Sequence, residues 1–205
     1  MKRLLLTIVV AALLWSVMFT PWSAPHVNFW WMMTGSACLL SLMATLFSPG
    51  WWKSMKITPR EVLLGVAIAV VLWSVFWVGD KLSQLMFDFA RPQVDTIYGM
   101  KEGESLWLLT ILMLFLIGPA EEIYWRGYVQ KTLSERWSPN IGFVVTTLIY
   151  ALVHAGSLNF MLVMAALVAG AAWGLLYRLF PEHFAAIVIS HAVWDVAVFI
   201  WFPIM

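Results

Sequence analysis

Seven apolar runs leave this chain of 205 residues few possible folds. They are Leu4–Thr20, Phe29–Phe47, Glu61–Gly79, Leu106–Trp125, Asn140–His154, Leu158–Phe180 and Phe184–Phe202. Several approach or exceed the ~18 residues that mark a membrane-spanning helix. The chain is 62% hydrophobic and 11% charged, whereas a soluble domain is nearer half apolar and about a quarter charged. The expectation is an all-α, polytopic membrane protein of seven transmembrane helices in one bundle, a single domain over residues 1–205. Pro21, Pro49, Pro59, Pro139 and Pro181 fall at or near the run boundaries, as helix punctuation should.

The basic residues suggest an orientation. With the N-terminus inside, Lys2, Arg3, Lys53, Lys56, Arg60, Arg126, Lys131, Arg136 and Arg178 lie on the cytoplasmic side, nine of the twelve. The other three, Lys81, Arg91 and Lys101, share the segment Asp80–Ser105 with five acids. There Leu82, Leu85, Met86 and Phe89 recur at helical spacing, which predicts a short interfacial helix or a cap over a cavity. The first run resembles a signal peptide, but Pro25 after Ser23-Ala24 argues for a retained helix. Net charge of +1 gives no electrostatic case for nucleic acid. The single cysteine, Cys38, excludes an internal disulfide and reads as a small packing residue. Trp22, Trp30, Trp51, Trp52, Trp107, Trp137 and Trp201 near the run ends read as interface belts. Ala166, Gly170 and Gly174, four apart, read as a close-packing ladder.

Against this background, polar residues inside the runs stand out. Charge held in a bilayer is expensive and marks a candidate functional site. The fourth run passes into Gly118-Pro119-Ala120-Glu121-Glu122-Ile123-Tyr124-Trp125-Arg126-Gly127. Pro119 lacks a backbone N–H, so the helix should bend or restart there. Glu122 and Arg126 are four apart and can pair on one face, as an interfacial salt bridge would; Glu121 points ~100° away and is left free. His154 closes the fifth run after Tyr150. His191 and Asp195, four apart in the last run, share a face and could simply neutralise each other. By rise along the helix, Glu121 and His191 fall in the inner third of a ~30 Å core and Asp195 near its middle, with His154 fitting less well. Convergence of three helices on one polar region explains these residues together.

A carboxylate and an imidazole can hold and deprotonate a water, and a second imidazole with a carboxyl or amide can stabilise an oxyanion. That suits peptide hydrolysis without a covalent intermediate. Gly-x-Ser-x-Gly and His-Glu-x-x-His are absent. Zinc bound by His154, His191 and a carboxylate stays open on the residues alone.

Three motifs carry a resemblance. Glu121-Glu122-Ile123-Tyr124-Trp125-Arg126 matches Glu-Glu-x-x-x-Arg, Tyr150-Ala151-Leu152-Val153-His154 matches Phe-x-x-x-His with Tyr for Phe, and His191-Ala192-Val193-Trp194-Asp195 matches His-x-x-x-Asn/Asp. In this order they resemble the CAAX-protease and bacteriocin-processing family of glutamic intramembrane proteases. The resemblance implies a catalytic core over about residues 106–202. It implies that Glu121 and His154 activate water, that His191 and Asp195 form the oxyanion site, and that Glu122, Arg126 and Tyr150 support it. It implies no metal and no cofactor, and a membrane-associated peptide or protein as substrate and partner. Asp195 departs from the Asn of the eukaryotic members; an ionised Asp cannot donate a hydrogen bond, so it must either be protonated and donate to the oxyanion or orient His191, the second being the favoured role. Compact size and the positive-inside pattern suit the inner membrane of a prokaryote. Two rival readings stay open: a non-catalytic scaffold or immunity-type binding protein, and a proton-coupled transporter, which the absence of an inverted repeat disfavours.

Overall fold

A computed structural model describes residues 1–204, and among these every regular element is helical. The elements are α1 (Lys2–Phe19), α2 (Phe29–Phe47), α3 (Pro59–Met86), α4 (Ala90–Gly99), α5 (Leu106–Arg136), α6 (Pro139–Val153), α7 (Phe160–Leu179) and α8 (Phe184–Val196). All but α4 belong to the seven helical segments long and apolar enough to cross a membrane. Their starts are set by local chemistry. The side chains of Asn28, Thr58, Ser105, Ser138 and Asn159 each accept a backbone N–H of the following first turn, and Pro59 and Pro139 occupy first-turn positions that need no N–H.

α8 is the most enclosed membrane helix and lies along α3 and α5, while α6 packs on α7. Glu61 of α3 ties down the start of α8. One carboxylate oxygen meets His183 Nδ1 at 2.7 Å, and the other accepts the Ala186 N–H at 3.2 Å. Small residues permit the tightest crossings. A Cβ on Gly118 would lie 2.7 Å from the Ala192 Cα, so α5 touches α8 backbone to backbone there. A Cβ on Gly170 would lie 2.9 Å from the Tyr150 ring, so the small-residue ladder is a close contact. We expect Gly170→Ala to destabilise by ~1–3 kcal/mol through overpacking. Gly35→Ala, in α2 with open space around it, should be neutral or stabilising by up to ~1 kcal/mol. Thermal unfolding of both variants in one detergent checks the contrast.

Several expectations change. α5 neither restarts nor breaks at Gly118-Pro119. A π-helical turn over Met113–Ile117 passes the Gly118 N–H to the Met113 carbonyl, five residues back. The widened turn accommodates a proline that has no N–H to return and needs space for its ring. A second π turn spans Trp125–Gln130, all six residues buried, and the helix runs on to Arg136. α3 also runs longer than its apolar stretch, to Met86, because Asp80 is paired: Gln84 donates to it at 2.6 Å, and Lys81 and Arg91 lie within 4.0 Å. Leu82, Leu85 and Met86 therefore belong to the exposed end of α3, and the short helix is α4 instead. Cys38 is exposed on α2 rather than packed. Trp30 is buried, donating its indole N–H to the Met100 carbonyl, rather than standing in a belt.

Candidate active site

α5, α6 and α8 bring Glu121, Tyr150, His154, His191 and Asp195 to the wall of one cavity of about 550 Å³. The rest of that wall is largely apolar and includes residues of α1, α2, α3, α4 and α7. α4 contributes Val94, Ile97 and Tyr98 to the wall. α4 is strapped in place by polar contacts. Arg91 meets Asp95 and the Ile204 carbonyl, the Tyr98 hydroxyl accepts the Ile204 N–H, and the Gln93 carbonyl accepts from Asn159. Lys101, just beyond, donates to the Phe199 carbonyl, and its burial lowers its pKa below the ordinary lysine value. Lining a cavity is consistent with the second of the two roles foreseen for the segment after α3.

Tyr150 connects the first two site residues. Its hydroxyl donates to Glu121 Oε2 at 2.8 Å, and its backbone carbonyl meets His154 Nδ1 at 2.7 Å. The hydroxyl that distinguishes Tyr from Phe at this position therefore has a partner inside the site. The second nitrogen of His154 is also taken: Trp15 of α1 donates its indole N–H to Nε2 at 3.1 Å. With an indole donor on Nε2 and a carbonyl acceptor on Nδ1, the ring is a neutral imidazole carrying its proton on Nδ1. Trp15 lies far from the motifs, in the middle of an apolar run, and nothing in the sequence marks it.

Glu122 and Arg126 form the foreseen pair, fully buried, with Arg126 Nη1 2.7 Å from Glu122 Oε1. The same oxygen accepts from His191 Nδ1 at 2.6 Å. Glu122 is therefore the anchor of His191 as well as the partner of Arg126, a link the sequence spacing did not reveal. Arg126 Nη2 donates to the Gly170 carbonyl at 3.1 Å, and the guanidinium sits 5.1 Å from the Tyr150 ring centre and 5.7 Å from that of Trp173. Trp173 stacks flat on His191, ring centres 3.8 Å apart and planes 15° apart. The other nitrogen of His191, Nε2, lies 3.5 Å from Asp195 Oδ1, within ion-pair reach but longer than an ordinary hydrogen bond. Glu122 and Trp173 thus hold His191 more closely than Asp195 does.

Could these residues hold a metal? Among the described residues no three of His, Cys, Asp and Glu are grouped as ligands. His154 has both nitrogens engaged, and His191 directs one of its two to Glu122. The arrangement suits a different chemistry. A carboxylate, two imidazoles and a second carboxylate face one largely apolar space.

Residues 103–197 match the family model described as Type II CAAX prenyl endopeptidase Rce1-like. The matched segment holds all three motifs and all of α5 to α8. No curated protein and no solved structure matches the chain.

Proposed function

We propose, from the premise that residues 103–197 belong to the Type II CAAX prenyl endopeptidase Rce1-like family, that the chain is a glutamic intramembrane protease. The observation that carries this reading is the convergence of Glu121, His154, His191 and Asp195 on a single apolar cavity within a seven-helix membrane bundle. Paired ions alone would account for Glu122 and Arg126. They would not account for Glu121 and His154 on the same wall, linked through Tyr150.

In this reading Glu121 takes a proton from a water held in the cavity. The oxygen of that water adds to the scissile carbonyl, giving a tetrahedral oxyanion. The proton passes to the leaving nitrogen, the C–N bond breaks, and a carboxylate and an amine are released. His154 joins Glu121 in holding the water once the Trp15 indole gives way at Nε2. The Tyr150 carbonyl keeps the histidine proton on Nδ1 throughout. His191, fixed by Glu122 and stacked on Trp173, turns Nε2 to the developing oxyanion, with Asp195 beside it. Arg126 holds Glu122 in place.

The largely apolar cavity suits a substrate embedded in or anchored to the bilayer, of which a prenylated CAAX tail is one form. The distribution of Lys and Arg supports a cytoplasmic N-terminus in the inner membrane of a prokaryote. The test is hydrolysis by the purified chain in proteoliposomes, on a panel of membrane-anchored peptides that includes a farnesylated CAAX peptide. Each cleaved peptide should give two products whose summed mass exceeds the substrate by one water. A bundle that binds peptides from the panel and cleaves none would favour the scaffold reading. Turnover should also survive prolonged treatment with EDTA and phenanthroline. Loss on chelation with recovery on added zinc would place His154 and His191 in a ligand role and reject the glutamic mechanism.

A further inference from the structure

The cavity occupies one end of the bundle. α1 lines it only with its last turns, through Trp15 and Phe19, and α2 only with its first, through Phe29, Trp30 and Met33. α3 gives nothing before Val75, α5 nothing beyond Glu121, and α8 nothing before His191. Because α5 runs on to Arg136, Glu121 lies fifteen residues from either end of it, near mid-span rather than in the inner third. The cavity therefore extends from mid-span to the end of the bundle that carries α4. Gly79 stands on this wall, and a Cβ there would meet nothing within 4 Å.

The other end is filled. Every residue of α5 from Ala120 to Gln130 is buried, ~three turns of helix enclosed by α2, α6, α7 and α8. A Cβ on Gly65 of α3 would lie 2.8 Å from the Ala186 carbonyl oxygen, one on Gly127 3.2 Å from the Phe184 ring, and one on Gly174 3.1 Å from the Phe143 ring. Gln130 donates to the Gly174 carbonyl at 2.7 Å, and Glu61 binds His183 and the Ala186 N–H across the same end. Interdigitated packing of this kind leaves no room for a polypeptide. The two ends also differ in charge. With the buried Arg126 set aside, eight basic residues lie at the packed end, and only Lys81, Arg91 and Lys101 lie at the cavity end, among five acids.

We propose that the substrate reaches Glu121 from the end that carries α4, which the distribution of basic residues makes the outer side of the membrane. Its chemical class is then an exported polypeptide, anchored in the bilayer and presented at the outer face, rather than the tail of a cytoplasmic protein. This rests on the protease reading and adds to it the side on which that protease works.

The experiment uses the full chain with an affinity tag at its N-terminus, reconstituted at one copy or fewer per liposome. Capture on the tag separates vesicles that display the N-terminus from vesicles that hide it. The probe is an acylated peptide bearing several charges, which the wild type cleaves in detergent and Glu121→Gln does not. Added from outside, it stays in the exterior leaflet, because its charges do not cross hydrocarbon. Vesicles that hide the tag turn the α4 end toward the probe, and should cleave it at least roughly ten-fold faster than vesicles that display the tag, a difference that detergent abolishes. Equal rates, or faster cleavage where the tag is displayed, overturn the proposal. In cells stripped of their walls, the tag should resist external protease until the membrane is lysed. A tag digested on the intact cells would put the α4 end in the cytoplasm and overturn the outer-side assignment. Failure of the wild type to cleave any peptide even in detergent would instead reject the protease reading itself.

Discussion

Glu121→Gln is expected to abolish hydrolysis while leaving the bundle intact. Gln has nearly the same shape, and its side-chain oxygen can still accept from the Tyr150 hydroxyl, which donates to Glu121 at 2.8 Å. Only the capacity to take a proton from water is lost. General-base catalysis contributes ~10²–10⁴-fold, so single-turnover rates in proteoliposomes should fall by at least that range. Thermal unfolding in detergent should move little, because no contact is removed. Turnover near that of the wild type in the Gln variant would show that Glu121 is not the base.

The second large effect belongs to stability. Glu122 accepts from both Arg126 and His191 on one oxygen and is 0% exposed. Glu122→Ala leaves Arg126 buried without its counter-charge and His191 without its anchor. Arg126→Ala leaves Glu122 buried without a cation and also strips the Gly170 carbonyl of a donor. Each single change should cost about 3–5 kcal/mol, the range for breaking a buried pair. The double variant removes both charges and should recover part of that loss. Melting temperatures of the two singles and the double measure the coupling, and strict additivity would contradict a direct pair. His191 adds a further expectation: the double variant should be inactive even where it is stable, because His191 has lost its anchor.

Much of this site was legible in the sequence, and the reason is local geometry. A four-residue spacing on a helix places Glu122 beside Arg126, and His191 on one face with Asp195, whatever the rest of the fold does. Apolar length alone located seven spans, because a helix crossing hydrocarbon needs ~20 such residues. What escaped was anything made by side chains distant in the chain. The Glu122–His191 bond joins residues 69 apart, and the Trp15–His154 bond residues 139 apart. Neither has a spacing to betray it. Trp15 and Trp173 looked like two more of fourteen tryptophans, yet one occupies a nitrogen of His154 and the other stacks on His191. At Pro119 the helix does not restart, for a different reason. Helix breaking is the rule for an isolated proline, but a preceding π turn can absorb it, and that depends on α5 being held against α8 at Gly118. Asp80 likewise seemed to end α3, since a charge normally ends an apolar run; Gln84 of the following turn donates to it, and Lys81 and, from α4, Arg91 lie within ion-pair reach.

The proteolytic reading is tested most directly in cells, where the substrate need not be known. Membrane peptides would be compared, by mass spectrometry of newly formed N-termini and of shortened tails, between cells carrying the wild-type chain and cells carrying Glu121→Gln at equal abundance. The expected result is a small set of termini that arise within or beside membrane-anchored segments in the wild type and vanish in the variant, with the uncut precursors accumulating. Identical termini in the two strains, with both proteins folded in the membrane, would contradict hydrolysis by Glu121-activated water.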